Sequence, residues 1–220
     1  MGISEVFNMD NMEGMKRFTD KYFDLAVVDP PYGIGGHKQR VFNDGKKWDN
    51  NIPTDEYFTE LIRVSKNQIV CGGNYFKQLW PCKGFIIWDK HQPDGLTFAM
   101  VELATCSINN TAKMFFTKPA GERGFYTVDS KRIHPTQKPI ALYDWIYEKY
   151  LPSGGKVLDT HLGSGSNRIS AYKRGNIDFT GYELDTDYFN DQEKRFLEFK
   201  QSFDPASLEP ITSTGQVKLF

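Results

Sequence analysis

The 220-residue sequence predicts an open α/β fold on a mostly parallel sheet, and three observations predict it. The apolar run Leu25-Ala26-Val27-Val28 has the length and composition of a strand buried on both faces. A second unit, Lys156-Val157-Leu158-Asp159 followed by Gly163-Ser164-Gly165, reads as strand, acid and glycine turn. A helix from about Asn167 to Arg174 and a strand over Phe179–Tyr182, ending at Glu183, complete it as the nucleoside-binding half of a Rossmann-like sheet. Third, this unit lies near the C-terminus, so the remaining strands must come from the N-terminal part. The simplest arrangement is circularly permuted, with Asp10, Asp29, Asp159 and Glu183 ending strands on one rim, the edge where open α/β sheets bind ligands.

Residues 4–9 read as a short strand ending at Asp10, which is either a rim acid or a helix N-cap, and Met12 to Thr19 as a helix leading into the strand at 25–28. Glycines 33, 35 and 36 and the basic residues from His37 to Lys47, with Trp48 near the end, suggest a lid that tracks a phosphate backbone. Thr54, followed by Asp55 and Glu56, caps a helix burying Tyr57, Leu61 and Ile62, with Val64 beside them. Strands follow at 67–71 and 85–88, and residues 98–108 and 112–117 suggest a strand pair turning at Asn109-Asn110. After a polar loop at about 118–133, His134-Pro135-Thr136-Gln137-Lys138-Pro139 leads into a helix over Ile140–Tyr150. The last helix, Thr186 to Phe203, should turn Tyr188 or Phe189, Phe196, Leu197 and Phe199 inward. We expect one domain over residues 1–203 and a polar tail over 204–220.

Hydrophobic residues make up 39% and charged residues 25%, the balance of a soluble globular chain, and the net charge of -1 excludes a wholly basic nucleic-acid coat protein. The cysteines, Cys71, Cys82 and Cys106, are odd in number and lack metal-type spacing. No metal is therefore expected, and a reducing cytoplasm suits them better than a disulfide framework. No apolar run approaches membrane-spanning length.

The chemistry concentrates in Asp29-Pro30-Pro31-Tyr32. Proline lacks an N–H and keeps its predecessor out of the helical region, so the Pro30 carbonyl stays free to accept. Together with the Asp29 carboxylate and the Tyr32 ring, it suits a flat group with an exocyclic amine, such as adenine or cytosine. The Gly-Ser-Gly turn lacks the pyrophosphate fingerprint, so the companion ligand should carry a ribose without a diphosphate.

In this order, Asp29-Pro-Pro-Tyr32, His134-Pro-Thr-Gln-Lys-Pro139 and Asp159-Thr-His-Leu-Gly-Ser-Gly165 resemble the motifs of the β-type S-adenosylmethionine-dependent DNA amino-methyltransferases. The resemblance implies helices on both faces of the sheet and N6-adenine or N4-cytosine methylation, with aspartate in the first motif position favouring adenine. It implies that Asp29 and the Pro30 carbonyl orient the target amine, while Tyr32 stacks on a flipped base and Pro31 completes the catalytic turn. Asp159, Gly163, Ser164 and Gly165 would hold the methionine end of the cofactor, Glu183 its ribose and Asp10 its adenine amine, with Thr136 and Lys138 beside it and His134 either there or packing at the helix start. His161 stands where the family carries phenylalanine, and Thr160 where a proline often precedes it. The loop at about 118–133 is short for a target-recognition segment, implying a short or relaxed DNA target or recognition shared across a homodimer. The terminal Gln216-Val217-Lys218-Leu219-Phe220 resembles the peptides that dock bacterial proteins on the replication sliding clamp. Restriction-modification, phage self-protection and replication-linked marking all fit such an enzyme. A protein-glutamine methyltransferase, with Asn-Pro-Pro-Tyr, fits less well, and a catalytically silent nucleic-acid-binding subunit is the reading from a different class.

Overall fold

Strand β2 (Phe23–Val28) is the part of the sheet most deeply covered, because its apolar residues are needed on both faces. Leu25 and Val27 join one hydrophobic cluster while Ala26 and Val28 join the other, and none is more than 1% exposed. Burial of a valine or leucine of this kind contributes roughly 1.5–3 kcal/mol. The computed structural model describes residues 1–35, 46, 49, 52–92, 95, 99–116, 119–120, 125–126 and 132–204. The expected lid apart from Gly33, Gly35 and Lys46, most of the loop at 118–133, and the tail from 205 with its Gln216–Phe220 peptide lie outside the described residues.

The other strands of the main sheet are β1 (Ser4–Asn8), β3 (Ser65–Cys71), β4 (Phe85–Asp89), β5 (Val101–Cys106), β6 (Ala112–Phe116), β9 (Gly155–Asp159) and β10 (Ile177–Glu183). A separate two-stranded ribbon pairs β7 (Pro119–Ala120) with β8 (Phe125–Tyr126). The eight strands run in the order β1-β10-β9-β2-β3-β5-β4-β6, so the two N-terminal strands flank the C-terminal pair. From β1 to β3 every pairing is parallel; β5 is antiparallel to both neighbours, and β6 is parallel to β4. The mostly parallel α/β sheet is therefore as expected. The hairpin at Asn109-Asn110 is not, because β4 inserts between β5 and β6 and takes both as partners.

Helices α1 (Asn11–Met15) and α2 (Asp55–Val64) cover one face through Met15, Tyr57, Phe58, Leu61 and Val64. Helices α3 (Ile140–Tyr150) and α4 (Ser166–Arg174) cover the other through Leu142, Tyr143, Ile146, Tyr147 and Ala171. Thr54 caps α2 as expected, its Oγ1 accepting from Tyr57 N at 3.4 Å. Ile62, however, is 44% exposed and Phe58 takes its place. At about 100° per residue, position 62 lies about 140° round from Tyr57, beyond the apolar stripe.

In α5 (Thr186–Ser202) Tyr188 and Phe196 are buried, whereas Leu197 is 52% exposed, about 180° round from Tyr188. The buried face of α5 also carries Gln192 and Arg195, because it serves polar backbone. Arg195 Nη1 donates to the Ser164 carbonyl at 2.6 Å and to Ser166 Oγ at 2.9 Å, bracing the glycine turn from behind.

Candidate functional site

The carboxyl ends of β2, β9 and β10 open onto a cavity of about 510 Å³, within the range of small-molecule sites. Its wall includes Asp29 and Pro31 at one end and His161, Gly163, Ser164, Glu183 and Asp185 at the other. His134, Thr136, Gln137 and Lys138, just ahead of α3, run between them. The parallel register explains the convergence: β2, β9 and β10 end within a few residues of one another on the same rim. Asn167 ties the two ends together, its Nδ2 donating to the Val27 carbonyl at 3.0 Å and to Asp159 Oδ2 at 2.9 Å.

At the β9 end the contacts around His161 are neutral. Asn11 Nδ2 donates to the Thr160 carbonyl at 3.2 Å and faces His161 Nε2 at 3.3 Å. That donor makes Nε2 the acceptor, so Nδ1 carries the proton toward Thr160 Oγ1 at 2.9 Å. Tyr57 OH completes the chain at 2.6 Å from Thr160 Oγ1, and its ring meets the imidazole edge-on at 5.5 Å. Burial pushes His161 down to about 4, so the ring is neutral at pH 7. Glu183 Oε2 accepts from Gly163 N at 2.9 Å and Oε1 from Asp185 N at 3.0 Å, while burial raises its carboxyl. Gly163 sits at φ +50°, a conformation that favours glycine, and the turn shows backbone rather than a side chain to the cavity.

The sequence-predicted acids do not all reach the wall. Asp159 lies beneath the turn, 3% exposed, with Oδ1 accepting from His161 N at 3.0 Å and burial pushing its carboxyl up to about 7. Asp10 is the N-cap of α1, its Oδ1 accepting from Met12 N at 2.7 Å and Glu13 N at 3.3 Å; the wall residue there is Asn11. Gly165, in the left-handed region, is the N-cap of α4, whereas Ser164 is on the wall.

At the β2 end the contacts are ionic. Lys138 Nζ pairs with Asp29 Oδ2, and Tyr32 OH donates to Asp29 Oδ1 at 2.6 Å. Lys138 also lies 3.5 Å from Glu102 Oε2, and Lys90 pairs with Glu102 Oε1. Burial alone would lower the Lys138 ammonium, but Asp29 and Glu102 hold it above its usual value. Burial would likewise raise Glu102, but Lys138 and Lys90 hold it below the ordinary range. Pro30 is buried. The turn that carries Tyr32 is held by Asp49, whose Oδ1 accepts from Tyr32 N at 2.7 Å and Gly33 N at 2.8 Å. Tyr75 stacks on the Tyr32 ring at 5.1 Å and 18° and is itself 45% exposed. Gly72, at φ +64°, permits this packing, since a Cβ there would stand 2.2 Å from the Tyr32 ring.

Asn11, Asp49, Gln137, Glu102 and Lys90 are site residues that the motifs do not single out. Gln137 had a signal, lying inside the 134–139 motif; it is 2% exposed, and its Nε2 has no hydrogen-bond partner among the described residues. His134 packs edge-on against Tyr188 at 4.4 Å, with its Nδ1 3.2 Å from Thr136 Oγ1. Lys46 pairs with Asp185 and with Asp187 at 2.9 Å, and lies over the same Tyr188 ring. The described residues contain no group of three or more acidic, histidine or cysteine side chains placed to hold a metal ion, and no helix long and apolar enough to cross a membrane.

Comparison with curated protein sequences finds no match. Among solved structures, the chain is similar to the M1.HpyAVI–SAM complex at 21% identity and a TM-score of 0.59, covering 88% of this chain and 100% of that one. It is similar at 18% identity and a TM-score of 0.60 to a DNA modification methylase from Thermus thermophilus complexed with S-adenosyl-L-methionine, covering 91% and 96%. PvuII DNA methyltransferase, described as cytosine-N4-specific, aligns at 11% identity and a TM-score of 0.57, covering 91% and 93%. These likenesses establish the fold. A family model for DNA methylases, the N6/N4 methyltransferases, matches residues 70–194, from β3 into α5 and more than half of the chain, and the protein belongs to that family.

Proposed function

We propose that the protein transfers a methyl group from S-adenosylmethionine to the N6 amine of an adenine flipped out of DNA, within a single domain. The observation that carries this reading is the placing of Asp29 and Glu183 at opposite ends of one cavity. The residues on the wall fit the cofactor. Glu183 presents a carboxylate to a ribose diol, the Gly163–Ser164 backbone lies open, and the unpartnered Nε2 of Gln137 supplies a buried donor for an amino-acid carboxylate. His161, neutral and fixed in one tautomer, offers an aromatic edge where the family carries phenylalanine. Asp159 and Gly165 act from behind the wall, holding the turn in shape, and Asp10 acts by starting α1 so that Asn11 faces the site.

When bound, the cofactor would supply a sulfonium methyl for the amine nitrogen with a neutral thioether as leaving group, and the amine's surplus proton would go to water. Asp29 and the Pro30 carbonyl orient the amine so that its lone pair faces that methyl. An extruded base lies against the Tyr32–Tyr75 pair, whose stacking makes a two-ring platform. Aspartate at position 29 favours adenine over cytosine. DNA is the macromolecular partner, and the shortness of the loop at 118–133 favours a short or relaxed target.

The test is incubation with unmethylated DNA and cofactor, followed by mass spectrometry of the nucleosides. N6-methyladenine in the wild type, and at least about a thousandfold less with Asp29→Ala, is the expected result. N4-methylcytosine would correct the base, and no product would point to the silent-subunit reading. An active Asp29→Ala enzyme would overturn the role given to that carboxylate.

A further inference from the structure

Glu102 belongs to none of the sequence motifs, yet it shares an ammonium with the carboxylate proposed to receive the target amine. It stands on β5, where Lys90 pairs with Oε1 and Lys138 Nζ lies 3.5 Å from Oε2. The same Lys138, its side chain 4% exposed, pairs with Asp29 Oδ2, while Tyr32 OH occupies Asp29 Oδ1. Both oxygens of Asp29 are therefore engaged by protein donors before any base arrives. Those donors fill about two of the roughly four lone-pair sites of a carboxylate, so a target amine entering beside them competes with Lys138 for the charge of Asp29, and an ammonium this deeply buried is not loosened without another anion to hold it.

We propose that Glu102 is a positioning residue: it takes over the Lys138 ammonium when the target amine engages Asp29, freeing that carboxylate without leaving a buried charge unpaired. Lys90 keeps the receiving carboxylate in place, since its bond to Oε1 leaves Oε2 turned toward Lys138. The movement required is small, because the second seat is already within 4 Å of the ammonium. The inference rests on the methyltransferase reading and adds a role through Lys138 for a residue remote from the reacting atoms.

Steady-state methylation of unmethylated DNA at saturating S-adenosylmethionine tests it. Glu102→Gln keeps the shape and removes the charge. We expect kcat to fall by about tenfold or more with KM for the cofactor unchanged. Glu102→Asp, shorter but charged, should retain more kcat than the glutamine variant. A purely structural role predicts the reverse, with isosteric glutamine tolerated and truncated aspartate harmful. Thermal unfolding checks that both variants fold. If Glu102→Gln does not, Lys90→Met is measured in its place, and kcat should again fall at constant KM. Full kcat in the folded variant, or a change in KM alone, overturns the inference while the methyltransferase reading stands. A wild type that methylates no DNA overturns both.

Discussion

The surroundings of His161 and of Asp29 are built from opposite materials. Around His161 a neutral relay of Asn11, Thr160 and Tyr57 positions an uncharged ring, each member within hydrogen-bond distance of a neighbour. Around Asp29 the relay is ionic, alternating carboxylate and ammonium from Asp29 through Lys138 and Glu102 to Lys90. A neutral network fixes one geometry, because each reversal of a donor leaves a buried group unpaired. An ionic one tolerates rearrangement as long as every charge keeps a counter-charge. The surroundings of His161 are thus built for one arrangement and those of Asp29 for more than one.

Three substitutions would break or sharpen this contrast. Lys138→Met should have the largest effect on stability, because it leaves Asp29 and Glu102 facing each other without the shared cation. A loss of about 3–5 kcal/mol in denaturant unfolding is expected, and a loss under 1 kcal/mol would mean that the ionic end is not structural. His161→Phe comes next and shows itself in pH. The folded His161 titrates at about 4, below the ordinary 6.5, so the unfolded chain binds more protons between those values. Its contribution is complete above pH 6.5 and lost as pH falls toward 4. Asp159, raised to about 7, acts in the opposite direction, costing stability as pH rises from 3.8 through 7. Removing the imidazole isolates the two: the stability of His161→Phe relative to the parent should rise by about 1.4 kcal/mol per pH unit on going from 6.5 to 4. A pH-independent difference would place a charged imidazole in the folded protein. Tyr57→Phe should cost least, about 1 kcal/mol by thermal unfolding, since Thr160 keeps His161 as a partner.

The contrast also explains which parts of the molecule were legible in the sequence. The parallel half was, since a strand buried on both faces needs an unbroken apolar run and a glycine turn needs its glycines; Leu25–Val28 and Gly163–Gly165 carry those signatures locally. Asp29 and Glu183 could be placed on one rim because each ends or follows such a strand, whereas Lys138 enters only through the resemblance of the 134–139 motif. Glu102 and Lys90 could not. They reach the site only because β5 runs antiparallel between β3 and β4, and the sequence suggested a β5–β6 hairpin instead. Asp49 escaped for a similar reason: its partners, the Tyr32 and Gly33 amides, are 17 and 16 residues away in sequence, a separation no local pattern encodes. Arg195 and Gln192 were hidden by the assumption that a buried helix face is apolar; here Arg195 meets the Ser164 carbonyl and the Ser166 hydroxyl, and Gln192 accepts from Arg168.

The strand order bears on how the chain acquires its shape during synthesis. β1 is made first, yet its partner β10 follows it by 175 residues, and β2 has β9 as one neighbour. Until the ribosome has passed residue 159 one side of β2 is unpaired, and until it has passed residue 183 the β1 edge has no strand to join. Pairings this distant in sequence are slow to close, and bare strand edges invite intermolecular pairing. The pocket between Asp29 and Glu183 therefore cannot exist in any shorter nascent chain: the site and the completed sheet arrive together, among the last events of folding.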